Sequence, residues 1–294
     1  MIELFAGYGG VGLGCLNAMF LILLAIDNND NAIQNYMKNI GKHIIKMDIL
    51  KVTASEILKY IKLKIGELDY AHFSPPCIAI SKLGKLNPFN QINRLYFKSI
   101  ELIHAIQPKV FTLETVDNIV SDKFYGLLNS MLYDLVKEGL YRFEYRILNA
   151  EDYGVPQSRK RFILMGVRKD LNLAPAFPIP NDYLISVNDV CPDIDYFRST
   201  QFSKKLKSAN YPCCTLTASQ SIKFIKKKKE VKPEVSELAV LSTFPETYKF
   251  EGSYTEQCTG IGNCVPPKLA KAIARTIKEQ ILDKYYNVKK NNAA

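Results

Sequence analysis

The first 115 residues alternate between short apolar runs and amphipathic stretches, and this alternation constrains the fold more than any other feature of the chain. Strands are predicted at 2–5, 21–26, 43–46, 68–73 and 109–113, with helices at 9–20, 29–39, 53–64 and 93–106 between them. Such alternation indicates an α/β fold, in which a parallel sheet carries helices on both faces. A helix at 124–137 and a pair of strands at 141–148 and 160–168 are predicted to complete the sheet.

The pattern changes after residue 168. Three prolines lie within 171–180, the chain is irregular to about residue 235, and four consecutive lysines occupy 226–229. Helical periodicity returns at 266–282. These features predict a second, smaller module without a strong helix or strand period.

Composition narrows the classes of protein that remain. Lys and Arg number 39 against 29 Asp and Glu, and this net charge of +10 suits a polyanionic partner or simply a solvated lysine-rich surface. The seven cysteines are scattered, without a CxxC pair or a metal-ligand spacing, so we expect no metal site and a reduced, cytosolic setting. The longest apolar run, 18–26, is too short to span a bilayer, and no membrane partner is expected.

A glycine-rich loop, Gly7–Gly14, follows the first predicted strand and opens the first helix. Glycines permit a tight turn and let a ligand approach the main chain beside a helix N-terminus. Asp27 ends the second strand, where a carboxylate can accept hydrogen bonds from ribose hydroxyls, and Asp48 ends the third. The pattern predicts a nucleotide-type cofactor and leaves NAD and S-adenosylmethionine as alternatives.

Cys77 follows two prolines at the end of a predicted strand, and Glu114 ends the next one. The prolines stiffen the chain before Cys77. Because strand ends of an open α/β sheet form the binding crevice, Cys77 and Glu114 are predicted to reach the same crevice if their strands are neighbours. A nucleophilic thiol requires nearby positive charge or hydrogen-bond donors.

Arg159 and Arg161 are spaced so that they would share one face of a strand, suited to a phosphate, a carbonyl oxygen or a thiolate. A solvated strand face is the alternative interpretation. The polar loop at 78–93, which includes Ser81 and leads to Arg94, is long enough to act as a lid.

With these pieces in order, the chain resembles the DNA cytosine-5 methyltransferase family over nearly its whole length. Seven segments carry the resemblance in the family's order: Glu3–Gly10, Asp27-Asn28 with Asp48-Ile49, Ser74-Pro75-Pro76-Cys77, Glu114-Thr115-Val116, Tyr153–Arg161, Val235–Tyr248 and Gly262–Pro267. The resemblance explains Cys77, Glu114 and the two arginines together, which an NAD dehydrogenase does not.

The resemblance implies a Rossmann-like sheet that binds S-adenosylmethionine and methylates carbon 5 of a flipped-out cytosine in double-stranded DNA. It assigns catalysis to Cys77, Glu114, Arg159 and Arg161. It assigns cofactor binding to Phe5, Gly7, Gly9, Asp27, Asn28, Asp48, Ile49, Pro75, Asn263 and Val265. It assigns DNA contacts to Ser81, Arg94, Gln157, Thr215 and Thr217. The lysines at 223, 226–229 and 232 are hypothesised to lie near phosphates, with a solvated run of charge as the alternative interpretation.

The same resemblance implies a catalytic domain at 1–170 plus 257–294, a small irregular target-recognition domain at 171–256, and a monomeric bacterial restriction-modification enzyme. A cognate restriction endonuclease acting separately is left open. Thr115 departs from the family's asparagine, and Asp27 stands where glutamate is usual. Two alternatives remain: a tRNA cytosine methyltransferase of the same fold, and a catalytically weak or partner-dependent DNA-binding relative.

Overall fold

The computed structural model describes residues 1–77, 80, 87–88, 90–201, 203, 205–219 and 222–293. Eleven strands lie within these residues: β1 Ile2–Leu4, β2 Leu24–Asp27, β3 Ile44–Lys46, β4 Tyr70–Phe73, β5 Val110–Val116, β6 Tyr141–Asn149, β7 Lys160–Arg168, β8 Tyr196–Ser199, β9 Lys207–Ser208, β10 Ile222–Lys226 and β11 Lys229–Val231. The α-helices are α1 Gly10–Asn17, α2 Asp30–Asn39, α3 Ala54–Ile61, α4 Arg94–Ile106, α5 Tyr125–Lys137, α6 Val187–Val190, α7 Val235–Leu241, α8 Tyr254–Asn263, α9 Pro267–Ile277 and α10 Asp283–Ala293. A π-helical turn at Lys278–Leu282 joins the last two.

Seven strands form one sheet in the order β3-β2-β1-β4-β5-β7-β6. The first five pair in parallel, whereas β7 pairs antiparallel with both β5 and β6. The predicted α/β class and parallel sheet are confirmed. Strand order reverses between β1 and β4, and in open sheets ligands bind at such a switch point, beyond the carboxyl ends of the strands.

Strand β5 is longer than its sequence pattern predicts. It continues through Thr115 and Val116, which pair with Phe162 and Arg161 of β7. Glu114 therefore lies inside the strand, and the prediction that the strand ends there was wrong. The β-branched side chains at 115 and 116 favour this extended pairing.

Apolar side chains fill both faces of the large sheet. One core joins the sheet to α3, α4 and α5, and the other joins it to α1 and α9. Helices α1 and α9 approach closely because of Gly14, where an added Cβ would lie 2.5 Å from the Cβ of Ala270. A larger side chain at position 14 would force these helices apart. In the described part of the chain, no helix has both the length and the apolar character needed to cross a membrane.

A second sheet of four antiparallel strands, β11-β10-β8-β9, lies within the stretch that the sequence predicts to be without a strand period. The expectation of an irregular module was therefore wrong. Its strands have only two to five residues, which is too short to produce a clear alternation in the sequence. Phe197 and Phe224 are paired across β8 and β10 and are fully buried. The core beneath them includes α7 and α8 and reaches Tyr8 of the glycine loop.

Candidate active site

A cavity of about 550 Å³ opens at the carboxyl ends of β1, β2, β4 and β5. This volume is in the range of small-molecule and cofactor sites. The predicted cofactor positions that line it are Phe5, Gly7, Asp27, Asn28, Asp48, Ile49, Pro75, Asn263 and Val265. The structure thus brings together residues from three distant parts of the sequence around one space.

The glycine loop and Asp27 hold each other in place. Gly7 has a positive φ of 54° and donates its backbone N–H to Asp27 Oδ2 at 2.8 Å. Oδ1 of the same carboxylate accepts the N–H of Asn29 at 2.9 Å. A carboxylate has about four acceptor positions, so Asp27 is oriented by the backbone and still has capacity to accept hydrogen bonds from a ligand.

Gly9 is the one predicted cofactor position outside the cavity lining. It caps α1 in the left-handed region with φ of 76°, and an added Cβ would lie 2.0 Å from Ile40 Cδ1. Its place in the motif is therefore explained by backbone conformation and close packing.

Glu3 also lines the cavity, although the sequence pattern predicts no individual role for it. Its carboxyl is buried, receives the N–H of Gly12 and the hydroxyl of Tyr36 at 3.2 Å each, and has a pKa raised by burial to about 8. The available signal was an acidic residue in the middle of an apolar strand, where an isolated charge is costly.

Cys77 lies on the loop after β4 and lines the same cavity as Glu114 and Arg161. Burial raises the pKa of the Cys77 thiol, Arg161 and Arg159 act in the opposite direction, and Glu114 adds to the increase. Cations that favour the thiolate are the feature that a nucleophilic cysteine requires.

The segment after Cys77 is held from the end of β5. Ile80 donates its N–H to the Cys77 carbonyl at 2.9 Å, and the Asn118 side chain donates to the Ile80 carbonyl at 2.7 Å. Thr115, by contrast, is buried and forms a 2.7 Å hydrogen bond with the Tyr96 hydroxyl. Among these described contacts, Asn118 rather than Thr115 supports the segment that follows the cysteine.

Glu114 and Arg161 form a largely buried ion pair, with Arg161 Nε 2.9 Å from Glu114 Oε1. The register explains the contact: Arg161 is opposite Val116 in the antiparallel pair of β5 and β7, two residues from Glu114 and therefore on its face. Burial raises the pKa of Glu114, while Arg161 and Arg159 lower it.

Arg159 is 2% exposed and does not line the cavity. It immediately precedes β7, which begins at Lys160 as the sequence predicts, so only Arg161 of the two arginines lies within the strand. Its guanidinium donates to the carbonyls of Leu216 at 2.7 Å and Gly262 at 2.8 Å. Burial lowers its pKa to about 9, and it acts electrostatically on Cys77 and Glu114 while joining two backbone segments.

The predicted DNA-contacting residues are not all at a surface. Arg94 is exposed at the start of α4, and Thr215 and Thr217 are half-buried, with Thr215 donating to the Ser158 carbonyl at 2.8 Å. Gln157 is fully buried and its Oε1 accepts the Leu216 N–H at 3.0 Å, so the expectation that it touches DNA does not match its position. Ser81 lies outside the described residues.

The basic run of 226–229 forms the end of the hairpin between β10 and β11. Lys227 and Lys228 are exposed at its turn with positive φ values of 48° and 64°. Lys226 instead forms ion pairs with Asp193 and Glu237. Lys227 and Lys228 are thus exposed at the tip of the hairpin and accessible to a phosphate, whereas Lys226 is paired with two carboxylates of the protein itself.

Comparison with known proteins agrees with this geometry. The family model described as C-5 cytosine-specific DNA methylase matches residues 1–233 and 194–279. Type II methyltransferase M.FnuDI of Fusobacterium nucleatum is 28% identical over 97% of this chain and 95% of its own length, and M.HgiDI of Herpetosiphon aurantiacus is 31% identical over 94% and 93%. A solved structure described as a DNA modification methyltransferase encoded within an E. coli prophage aligns with a TM-score of 0.78 and 22% identity, covering 96% of this chain and 99% of that one.

The chain belongs to the C-5 cytosine-specific DNA methylase family and is a DNA (cytosine-5-)-methyltransferase of the restriction-modification type.

Proposed function

We propose that the chain transfers the methyl group of S-adenosylmethionine to carbon 5 of a cytosine flipped out of a specific duplex DNA sequence, with Cys77 forming a transient bond to carbon 6. The observation that carries this proposal is the convergence of Cys77, Glu114 and Arg161 on the cavity that the glycine loop and Asp27 also line. Extrusion of the base costs a few kcal/mol and exposes carbon 6 to the thiol.

The cavity residues fit the proposed cofactor. Asp27 and Asp48 supply acceptors for the ribose hydroxyls and the adenine amino group, while Phe5, Ile49 and Pro75 supply apolar walls. Asn263 and Val265 complete the lining from the loop after α8. S-adenosylmethionine, when bound, supplies an electrophilic methyl group on a sulfonium.

The side chains then divide the work on the cytosine. The Cys77 thiolate adds to carbon 6 and breaks the C5–C6 double bond, which makes carbon 5 nucleophilic towards the methyl group. A base then removes the carbon-5 proton, the C5–C6 double bond re-forms and the thiolate leaves. Glu114 accepts a hydrogen bond from the exocyclic amine and, in its protonated form, donates one to N3, which stabilises the charge that accumulates on the ring. Arg161 holds the O2 atom and pairs with Glu114, and Arg159 fixes the backbone around them.

We also propose which residues form the domain that recognises the DNA target and which form the catalytic domain. Residues 171–256 form the target-recognition domain, and 1–170 with 257–294 form the catalytic domain. Arg94, Thr215 and Thr217 contact DNA in the cleft, with Lys227 and Lys228 near phosphates. We infer that the enzyme acts as a monomer in the bacterial cytosol, and that any cognate restriction endonuclease acts on the same DNA as a separate protein.

The test compares Cys77→Ala with Cys214→Ala, a half-buried cysteine outside the cavity lining. DNA from cells expressing each variant is sequenced for methylated cytosines, and duplexes carrying 5-fluorocytosine are used to trap the covalent adduct. We expect the wild-type protein and Cys214→Ala to methylate and to form the adduct. Cys77→Ala should do neither, while it still binds S-adenosylmethionine in calorimetry. Methylation by Cys77→Ala would refute the covalent role, and transfer to tRNA instead of duplex DNA would refute the substrate.

A further inference from the structure

A second, much smaller cavity of about 10 Å³ lies beneath Glu114, on the sheet face covered by α1 and α9. Its polar lining comes from Tyr70, His72, Thr112 and Glu114, and its apolar lining comes from Val11, Ile163, Val265, Ala270 and Ile273. A water molecule needs roughly 10–15 Å³ of probe volume and two to four polar partners. The cavity lies at the lower end of this range, which corresponds to the space of a single water.

His72 is a polar group whose hydrogen bonding is incomplete in this cavity. The side chain lies in β4 and is 5% exposed, and its Nδ1 is 2.8 Å from Thr112 Oγ1. Within the described part of the chain, its Nε2 has no hydrogen-bond partner. Buried polar atoms without a protein partner are rare, and such atoms commonly hydrogen-bond to a buried water.

The hydrogen-bond chain on the other side of the ring determines which nitrogen carries the proton. Tyr70 is 2.7 Å from the same Thr112 hydroxyl, and both side chains are buried. If Tyr70 donates to Thr112, Thr112 donates to His72 Nδ1, and every hydrogen of the chain is used. The reverse direction leaves the Tyr70 hydrogen without an acceptor in the contacts described. The favoured arrangement places a hydrogen on Nε2, which makes this atom a donor.

We propose that one water molecule in this cavity accepts a hydrogen bond from His72 Nε2 and donates one to the Glu114 carboxylate, so that His72 is a positioning residue for Glu114. The catalytic consequence rests on the role proposed for Glu114 above; the water itself does not. A donor to a carboxylate stabilises its ionised form, so this water opposes the effect of burial on Glu114.

The charged and polar groups that act on the Glu114 carboxyl from other elements do not come from α1 or α9, which cover the small cavity. Arg161 and Arg159 act on its carboxylate from the start of β7, Cys77 from the loop after β4, and Tyr96 from α4. The residues of α1 and α9 that line the small cavity are apolar. Burial lowers the pKa of His72 to about 3, so the ring stays neutral at physiological pH and supplies a fixed dipole.

The first experiment is a high-resolution crystal structure of the wild-type protein. We expect an ordered water within hydrogen-bond distance of both His72 Nε2 and a Glu114 carboxylate oxygen. An empty cavity, or a direct contact between the two side chains, would overturn the proposal.

The second experiment titrates Glu114 by infrared spectroscopy, with its carboxylic C=O band assigned by Glu114→Gln. His72→Phe keeps the size of the ring and removes the donor, whereas His72→Gln keeps an amide donor. We expect the Glu114 midpoint to rise by about half a unit to one unit in His72→Phe and to stay near wild type in His72→Gln. The pH limb that Glu114 contributes to single-turnover methyl transfer should move up by the same amount.

Equal midpoints in wild type and His72→Phe would refute the proposed contact. If His72→Phe fails to fold, the wild-type crystal structure and His72→Gln still decide the matter, because a midpoint displaced in His72→Gln also contradicts the proposal. If no form of the enzyme methylates cytosine, the proposed function fails, while the crystallographic water and the infrared titration still test the link between His72 and Glu114.

Discussion

Replacing Arg159 with lysine should lower the free energy of unfolding, by an amount that follows from the hydrogen bonds of the guanidinium. The guanidinium donates to two carbonyls, those of Leu216 and Gly262, from a site that is 2% exposed. An ammonium is a point charge and does not span both acceptors as a planar fork does. Loss of one charged hydrogen bond reduces the free energy of unfolding by roughly 1.5–3 kcal/mol, and Arg159→Ala, which loses both, by about 3–6 kcal/mol.

The same substitution should weaken cofactor binding. Gly262 directly precedes Asn263 and lies close to Val265, and both of these residues line the large cavity. A displaced Gly262 carbonyl shifts this wall, for which we expect about a tenfold loss of S-adenosylmethionine affinity, equivalent to about 1.4 kcal/mol. Calorimetric titration with the cofactor measures this effect independently of methyl transfer.

Stability is measured by urea unfolding with far-ultraviolet circular dichroism, since the chain contains no tryptophan. Arg198→Lys is the matched control. Arg198 also makes two contacts, to the Glu230 carboxylate at 2.7 and 3.0 Å, but at the surface, where ion pairs contribute little. We expect the midpoint to fall clearly in Arg159→Lys and to stay near wild type in Arg198→Lys. Equal midpoints for the two variants would refute the view that Arg159 joins these segments.

Three further variants test other parts of the site. Asp27→Asn should weaken S-adenosylmethionine binding by about tenfold in calorimetry, because a neutral amide is a poorer acceptor for the Gly7 N–H and for ribose hydroxyls; unchanged affinity contradicts this role. Asn118→Ala should slow adduct formation with 5-fluorocytosine DNA by about tenfold without altering cofactor affinity, since it releases the Ile80 carbonyl; an unchanged rate argues against support of the cysteine loop. Replacing Lys227 and Lys228 with glutamine should reduce the slope of log binding constant against log salt by about 2, and an identical slope excludes phosphate contact by the hairpin.

The large sheet was predictable because its strands are buried on both faces and appear as apolar runs between amphipathic helices. The small sheet was not, because β8, β9 and β10 have only two to five residues, too few for the alternation of buried and exposed positions to be recognised in the sequence. The end of β5 was missed for a related reason: Thr115 and Val116 are extended through pairing with β7, a contact some 45 residues away in sequence. The pattern of apolar and polar residues within one segment does not show which distant strand that segment pairs with.

For the site, position at a strand end was the informative signal. It identified Asp27, Asp48 and Cys77 as lining residues, since the carboxyl ends of parallel strands meet at one edge. The DNA contact that the resemblance implies for Gln157 had no such signal, and the side chain is instead buried against Leu216 and the carbonyl of Leu241. Glu3 and His72 were also missed as individual groups, because both lie inside strands and their environment is made by other strands and helices.

Thr115 shows how a departure from a family pattern can be accommodated locally. The residue follows Glu114, so it points to the opposite face of β5, where its hydroxyl meets Tyr96 in a fully buried pair. Support of the segment after Cys77 comes instead from Asn118, which lies beyond the strand and reaches the Ile80 carbonyl. Because the two residues have separate hydrogen-bond partners, the threonine does not deprive that segment of a donor. The acid at position 114 keeps its contact with Arg161, and its geometry depends on the register of β5 and β7 rather than on the side chain at position 115.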